Sequence, residues 1–140
     1  MSQSSFKASF RVAFVDTDGA GVVHYSNYFR FFERTEEEFY KHLGFDFTDF
    51  RKRGLWLPRV EAFCQYKKPA TYGDLLEVEL VVEELKEKSA KLSFKVANEA
   101  GDLLALGYLV IVVAEKQTGR ATQIPKDIVE RLRPFAKQVL

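Results

Sequence analysis

The sequence predicts an α+β domain, an antiparallel sheet of about five strands wrapped around one long helix, with a short helix near the carboxyl end. Three observations carry this. Apolar residues alternate with polar ones in several separate runs, the period of a strand with one buried face. The run 27–43 instead spaces its apolar residues by three and four, the period of a helix. The strand-like runs after it are joined by short turns, which favour antiparallel neighbours. A chain of 140 residues with 46% apolar content is long enough for one domain, 1–140, with its own core.

Phe6, Ala8, Phe10, Val12 and Phe14 alternate with Lys7, Ser9, Arg11 and Ala13, so the first strand runs to Val15. Asp16-Thr17-Asp18-Gly19-Ala20-Gly21 then reads as a loop. In the helix, Tyr28, Phe31, Phe32, Thr35, Phe39 and Leu43 share one face, and Ser26 or Asn27 can cap its start. Glu33, Glu36, Glu37, Glu38 and Lys41 are expected in solvent. Six Phe and three Tyr fall between positions 23 and 47, so this segment belongs in the core. Gly44 ends the helix, with Phe45 placed for a Schellman contact. Residues 45–58 read as loop. Strands follow at 60–66, at 75–84 with Leu76, Val78, Leu80 and Val82 on one face, and at 90–96. The nearly all-apolar run 103–114 reads as a central strand covered on both faces. Pro125 opens the last helix, with Ile128, Leu132 and Phe135 on one side.

Composition excludes several classes of function. With 21 basic and 20 acidic side chains, the chain has no electrostatic footprint for nucleic acid. Cys64 is the single cysteine, so there is no internal disulfide and no cysteine-built zinc site, which fits a reducing compartment. The two histidines have no metal-ligand spacing, and no metal is expected. The uncharged run 103–114 has 12 residues, short of the ~20 a spanning helix needs. No secretory signal is read at the amino end, and a cytoplasmic protein is expected.

One sheet around one buried helix is the hotdog architecture. Its exposed edges favour pairing of two copies. The chemistry concentrates in the stretch FVDTDGAGVVHYSNYFRFFE, residues 14–33. A carboxylate follows a strand, glycines let backbone amides approach a ligand, and a helix begins about eight residues later. Unpaired N–H groups at a helix start polarise a carbonyl as its oxygen gains charge. A nearby carboxylate can attack that carbonyl or activate water. Together these suffice for ester or thioester cleavage, although Asp16 and Asp18 are also the residues that commonly shape turns.

This stretch resembles the signature of the 4-hydroxybenzoyl-CoA thioesterase family and of the related acyl-CoA thioesterases of the tol-pal gene cluster. They share Asp-x-Asp-x-x-Gly-Val/Ile-Val, an aromatic residue or His, then Asn-Tyr and an aromatic-rich helix. The resemblance implies a hotdog fold, dimers or tetramers, and metal-free, cofactor-free hydrolysis of an acyl-CoA to free acid and coenzyme A. It places the catalytic carboxylate at Asp18, the carbonyl-polarising N–H at Tyr25, and a loop-shaping role at Asp16. It also implies Lys86, Lys88 and Ser89, in a basic turn between two strands, as contacts for the nucleotide of coenzyme A. Gly21, Val23 and His24 complete the expected substrate contacts. His24-Tyr25 departs from the Tyr-His of many relatives, so the acyl group stays open, as do its length and aromaticity. The basic runs Arg51-Lys52-Arg53 and Lys67-Lys68 are weaker options for the same phosphates, since charge runs are usually solvated faces; His42 is given no chemistry, and Cys64 reads as a packed strand residue. Tyr28, Phe31 and Phe32 are core positions before they are the lining of an acyl tunnel.

Two rival readings remain. A non-catalytic acyl-CoA-binding module would keep the fold and release no thiol. A magnesium-dependent phosphatase of the haloacid dehalogenase type also carries a strand-end Asp-x-Asp-Gly. It needs a buried parallel strand and a late acidic pair, neither of which is read here.

Overall fold

The computed structural model describes residues 4–140. β1 (Phe6–Arg11) leads through a 3-10 turn at Phe14–Asp16 to α1 (Asn27–Leu43) and α2 (Phe47–Lys52). Next come β2 (Leu55–Trp56), β3 (Arg59–Tyr66), β4 (Leu75–Leu85), β5 (Ser89–Ala97), β6 (Leu103–Val112) and β7 (Ala114–Glu115). α3 (Lys126–Leu132) is followed by β8 (Ala136–Val139). The main sheet has the order β1-β4-β5-β6-β3 with all these neighbours antiparallel. β8 lies parallel to β4 over Val82–Leu85, beyond the Leu75–Leu80 stretch that β1 covers. β2 and β7 form a separate ribbon.

The helix is wrapped as its spacing predicts. Phe31, Phe32, Thr35 and Phe39 are at most 1% exposed, as are Leu76, Val78, Leu80, Leu92, Phe94 and Val96 on the sheet. Phe32 stacks on Phe94 with ring centroids 4.4 Å apart. The Schellman end is complete. Gly44 takes the left-handed conformation (φ 95°), its N–H donates to Lys41 O at 3.0 Å and that of Phe45 to Tyr40 O at 3.0 Å. The Phe45 ring then stacks on Tyr40 at 5.0 Å.

Five expectations are corrected. The first strand stops at Arg11, because Asp16 Oδ2 accepts the Ala13 N–H and curls the chain, leaving Phe14 and Val15 exposed. Glu36 is buried rather than solvated, since Tyr40 and Arg59 hydrogen-bond its carboxylate. The loop at 45–58 contains α2, started by Asp46, whose Oδ1 accepts the Thr48 N–H. β6 lies between β5 and the edge strand β3. Its Leu109 and Ile111 face the core, while Leu106, Tyr108 and Val110 are half-buried on the outer face. Ser26 stands at the start of α1 but makes no side-chain cap, because its hydroxyl pairs with His24 Nδ1 at 2.8 Å.

Candidate active site

Residues 16–24 fold back as a small hairpin. Thr17 and Val23 are bridged, Asp18 N–H donates to Val22 O (2.8 Å), and His24 N–H donates to Asp16 O (2.9 Å). Val23 N–H donates to Ala70 O (2.8 Å) and Val22 is bridged to Thr71, so the hairpin is seated on the β3–β4 connection. The Asp16 carbonyl also accepts from Asn27 Nδ2 (2.8 Å), which joins the hairpin to the first residue of α1.

The two aspartates differ in how they are engaged. Asp16 Oδ2 holds the Ala13 N–H. Asp18 is exposed; its Oδ1 accepts from Ala20 N–H (2.8 Å) and Val22 N–H (3.4 Å), and its Oδ2 has no partner among the described residues. A carboxylate held by one oxygen and free at the other has a fixed direction and an available lone pair. Gly21 N–H donates to Asp18 O (3.1 Å) and closes the turn.

His24 and Tyr25 stand side by side, rings stacked at 4.4 Å. His24 Nδ1 accepts the Ser26 N–H at 3.2 Å, so the neutral ring carries its proton on Nε2. The Tyr25 ring is exposed, and its N–H has no acceptor among the described residues. Its carbonyl accepts the Tyr66 hydroxyl at 2.9 Å. Partial desolvation of the hydroxyl, with the neighbouring Cys64 and Tyr28, pushes that phenol up to about 12, so it remains a donor across the neutral range. No local signal marks Tyr66 in the sequence; the contact spans 41 residues and depends on where β3 ends.

Gly21, Val23 and His24 therefore lie with Asp18 and Tyr25, although Val23 is 5% exposed and belongs to the core. Lys86, Lys88 and Ser89 do not. They sit beyond Leu85, while the hairpin sits beside Asp74, before Leu75. The 11 residues of β4 separate the two groups by roughly 30 Å. The remaining candidates have structural surroundings. Tyr28, Phe31 and Phe32 are buried in the core, and burial pushes the Cys64 thiol up. Arg53 of the basic triplet forms a two-pronged pair with Asp127 at 2.9 and 2.7 Å. β1, the strand that leads into Asp16, lies antiparallel to β4, where the phosphatase reading needs a parallel strand.

The thioesterase-like superfamily pattern matches residues 12–132. An acyl-CoA thioester hydrolase of Escherichia coli, YbgC, is 25% identical over 138 residues, covering 95% of this chain and 99% of the relative. The crystal structure of a hypothetical protein from Aquifex aeolicus superposes with a TM-score of 0.86 at 37% identity, covering 91% of this chain and 98% of that one. A 4-hydroxybenzoyl-CoA thioesterase, solved as an Asp-to-Asn mutant with 4-hydroxybenzoyl-CoA bound, superposes with a TM-score of 0.82 at 26% identity, covering 91% and 98%. The chain belongs to the thioesterase-like superfamily and has its hotdog fold.

Proposed function

We propose that this protein hydrolyses an acyl-CoA thioester, with Asp18 as nucleophile or general base and the Tyr25 N–H as the donor to the thioester oxygen. The observation that carries the reading is one short hairpin holding a carboxylate with one oxygen unpartnered and, just before α1, an amide with no acceptor, both among the described residues. The helix dipole adds positive potential where the carbonyl oxygen gains charge. As nucleophile, Asp18 adds to the thioester carbon and expels the thiolate of coenzyme A, which takes a proton. Water then cleaves the mixed anhydride, giving the free acid and restoring Asp18. As general base, Asp18 takes a proton from the attacking water.

The reading needs a second copy. β3 pairs with β6 on one side and, among the described residues, is free on the other, with Val60, Phe63 and Tyr66 exposed. Two copies joined antiparallel along this edge set the hairpin end of one beside the Arg59 end of the other. Lys86, Lys88 and Ser89 of the second copy would then reach the phosphates of the coenzyme A bound at Asp18 of the first. A groove of about 480 Å³, lined in part by Phe47, Trp56, Leu57 and Arg59, lies at that same end and would give room for the acyl group.

The test is Asp18→Asn in a thiol-release assay across aliphatic and aromatic acyl-CoAs. A fold-preserving loss of about 10²–10⁴ is expected, and near-normal turnover would overturn the assignment. Labelled oxygen appearing in the Asp18 carboxylate after a single turnover in H₂¹⁸O would identify the nucleophilic route. One observation favours the non-catalytic reading, namely that Asp18 Oδ1 serves its own turn. That reading requires acyl-CoA binding with no thiol released from any substrate.

A further inference from the structure

We infer that Tyr66 is a positioning residue for the Tyr25 amide: its hydroxyl, reaching from the end of β3 to the Tyr25 carbonyl, anchors the far side of that residue and so holds the residue that carries the N–H in place. This rests on the proposed role of Tyr25 in activating the thioester. The bond from Tyr66 Oη to Tyr25 O is 2.9 Å long and joins residues 41 apart in sequence. It is the one side-chain tie on the Tyr25 backbone among the described residues. The phenol is itself held from two sides. Its strand position pairs with Ala105 of β6, and its ring meets the Tyr28 ring of α1 edge-on at 5.2 Å.

The other bonds around Tyr25 fix its neighbours. His24 N–H is held by Asp16 O, and Ser26 N–H by His24 Nδ1. Asn27 N–H donates to His24 O. The Tyr25 N–H shares its peptide plane with the His24 carbonyl, which Asn27 N–H holds, and Tyr66 holds the next peptide through the Tyr25 carbonyl. Anchored on both sides, Tyr25 has both backbone torsions pinned, and its N–H is in place before any substrate arrives. A donor of this kind contributes most when it needs no reorganisation during the reaction. A misplacement of about 1 Å in such a group costs up to ~10²-fold in rate.

Tyr66→Phe removes one oxygen and keeps the ring against Tyr28. With benzoyl-CoA as probe, kcat is expected to fall roughly 10- to 100-fold, with KM within about twofold of wild type and an unchanged melting temperature. A structural role alone would move the melting temperature and not produce this split. A second readout does not depend on hydrolysis. Phenacyl-CoA, a ketone with CH₂ between carbonyl and sulfur, should show a lowered C=O stretching frequency when bound to wild type and a smaller lowering in Tyr66→Phe. Equal frequencies in the two proteins, or wild-type kcat in Tyr66→Phe beside an inactive Asp18→Asn, would overturn the inference. Normal turnover by Asp18→Asn would instead overturn the role given to Asp18, and Tyr66 would still be decided by the ketone spectrum.

Discussion

Glu36, in the middle of α1, receives a hydrogen bond from Arg59 at the start of β3, 2.9 Å from guanidinium nitrogen to carboxylate oxygen. The same oxygen accepts the Tyr40 hydroxyl at 2.6 Å, and Glu36 Oε1 has no partner among the described residues. A fully buried carboxylate thus ties the central helix to the free edge of the sheet. Removing one member of such a pair leaves an unmatched charge in the core, at a cost of about 3–5 kcal/mol. Arg59→Met is therefore expected to lower the melting temperature by roughly 10 °C. Glu36→Gln, which keeps the shape and leaves unpaired only the Arg59 side chain, 26% exposed where Glu36 is fully buried, should cost much less. Thermal unfolding of the two variants side by side checks this, and an equal loss in both would contradict it.

The same carboxylate gives stability a pH dependence. Burial pushes Glu36 above the ordinary glutamate range, and the Arg59 charge and its hydrogen bond offset part of that rise. A raised acid binds its proton more tightly folded than unfolded. Its contribution is therefore full below the ordinary glutamate value and is lost as pH rises through the raised one. Glu36→Gln should gain on wild type as pH increases across that window, then hold a constant difference. Urea denaturation from pH 4 to 8 measures it. A Glu36→Gln variant that loses stability relative to wild type as pH rises would have the wrong sign.

The sequence made the large elements legible because their signals are local. The three-and-four spacing of Tyr28, Phe31, Phe32, Thr35 and Phe39 and the Gly44-Phe45 stop act within a few residues. Glu36 was not legible: its polar identity points to solvent, and its partner Arg59 lies 23 residues away. α2 was missed because six residues carry too little periodicity; Asp46 with Thr48 was the available signal. β8 depends on a parallel pairing with β4 across more than 50 residues. In the candidate site, the hairpin with Asp18 and Tyr25 is contiguous, so a motif could name it. Strand direction sends Lys86, Lys88 and Ser89 to the opposite end of β4, which no spacing along the chain reveals.

Gly107 in β6 faces Cys64 in β3 across the sheet. A Cβ there would overlap the Phe63 carbonyl oxygen and stand 2.8 Å from the Phe32 ring. Neither neighbour can yield cheaply, since one is backbone and the other is stacked on Phe94. Gly107→Ala is expected to cost about 1–3 kcal/mol by overpacking. The strain falls on β3, the proposed pairing edge, so sedimentation should also show weakened self-association. A variant as stable as wild type would mean the Phe32 notch is looser than the structure gives.

Arg53 holds the Asp127 carboxyl down to about 2 through its hydrogen bonds. An acid lowered on folding adds stability above its ordinary value near 3.8 that disappears as pH falls through the lowered one. Both side chains are 40% or more exposed, so solvent screens the pair and the effect on stability is small. Arg53→Gln should return the Asp127 titration, followed by carboxyl NMR, towards the ordinary aspartate range. An unmoved titration would mean that the backbone N–H groups of Asp127 and Ile128, rather than Arg53, hold it down.

The proposed antiparallel pairing of two copies can be tested by complementation, because it assigns the two halves of each site to different chains. Asp18→Asn removes the carboxylate proposed to react, while Lys86→Glu with Lys88→Glu removes the basic turn some 30 Å away along β4. Each variant alone should be impaired in thiol release. In a mixed dimer, one site combines both defects. The other draws an intact Asp18 from the lysine variant and intact lysines from the aspartate variant. Co-expressed chains carrying different tags, purified through both, should therefore recover activity well above that of either variant. A site built within a single chain gives no recovery, since every chain in the mixture then carries one defect. Lysines at Val60 and Phe63, both exposed on the free edge, should abolish the recovery and shift sedimentation to the monomer with the Asp18 hairpin untouched.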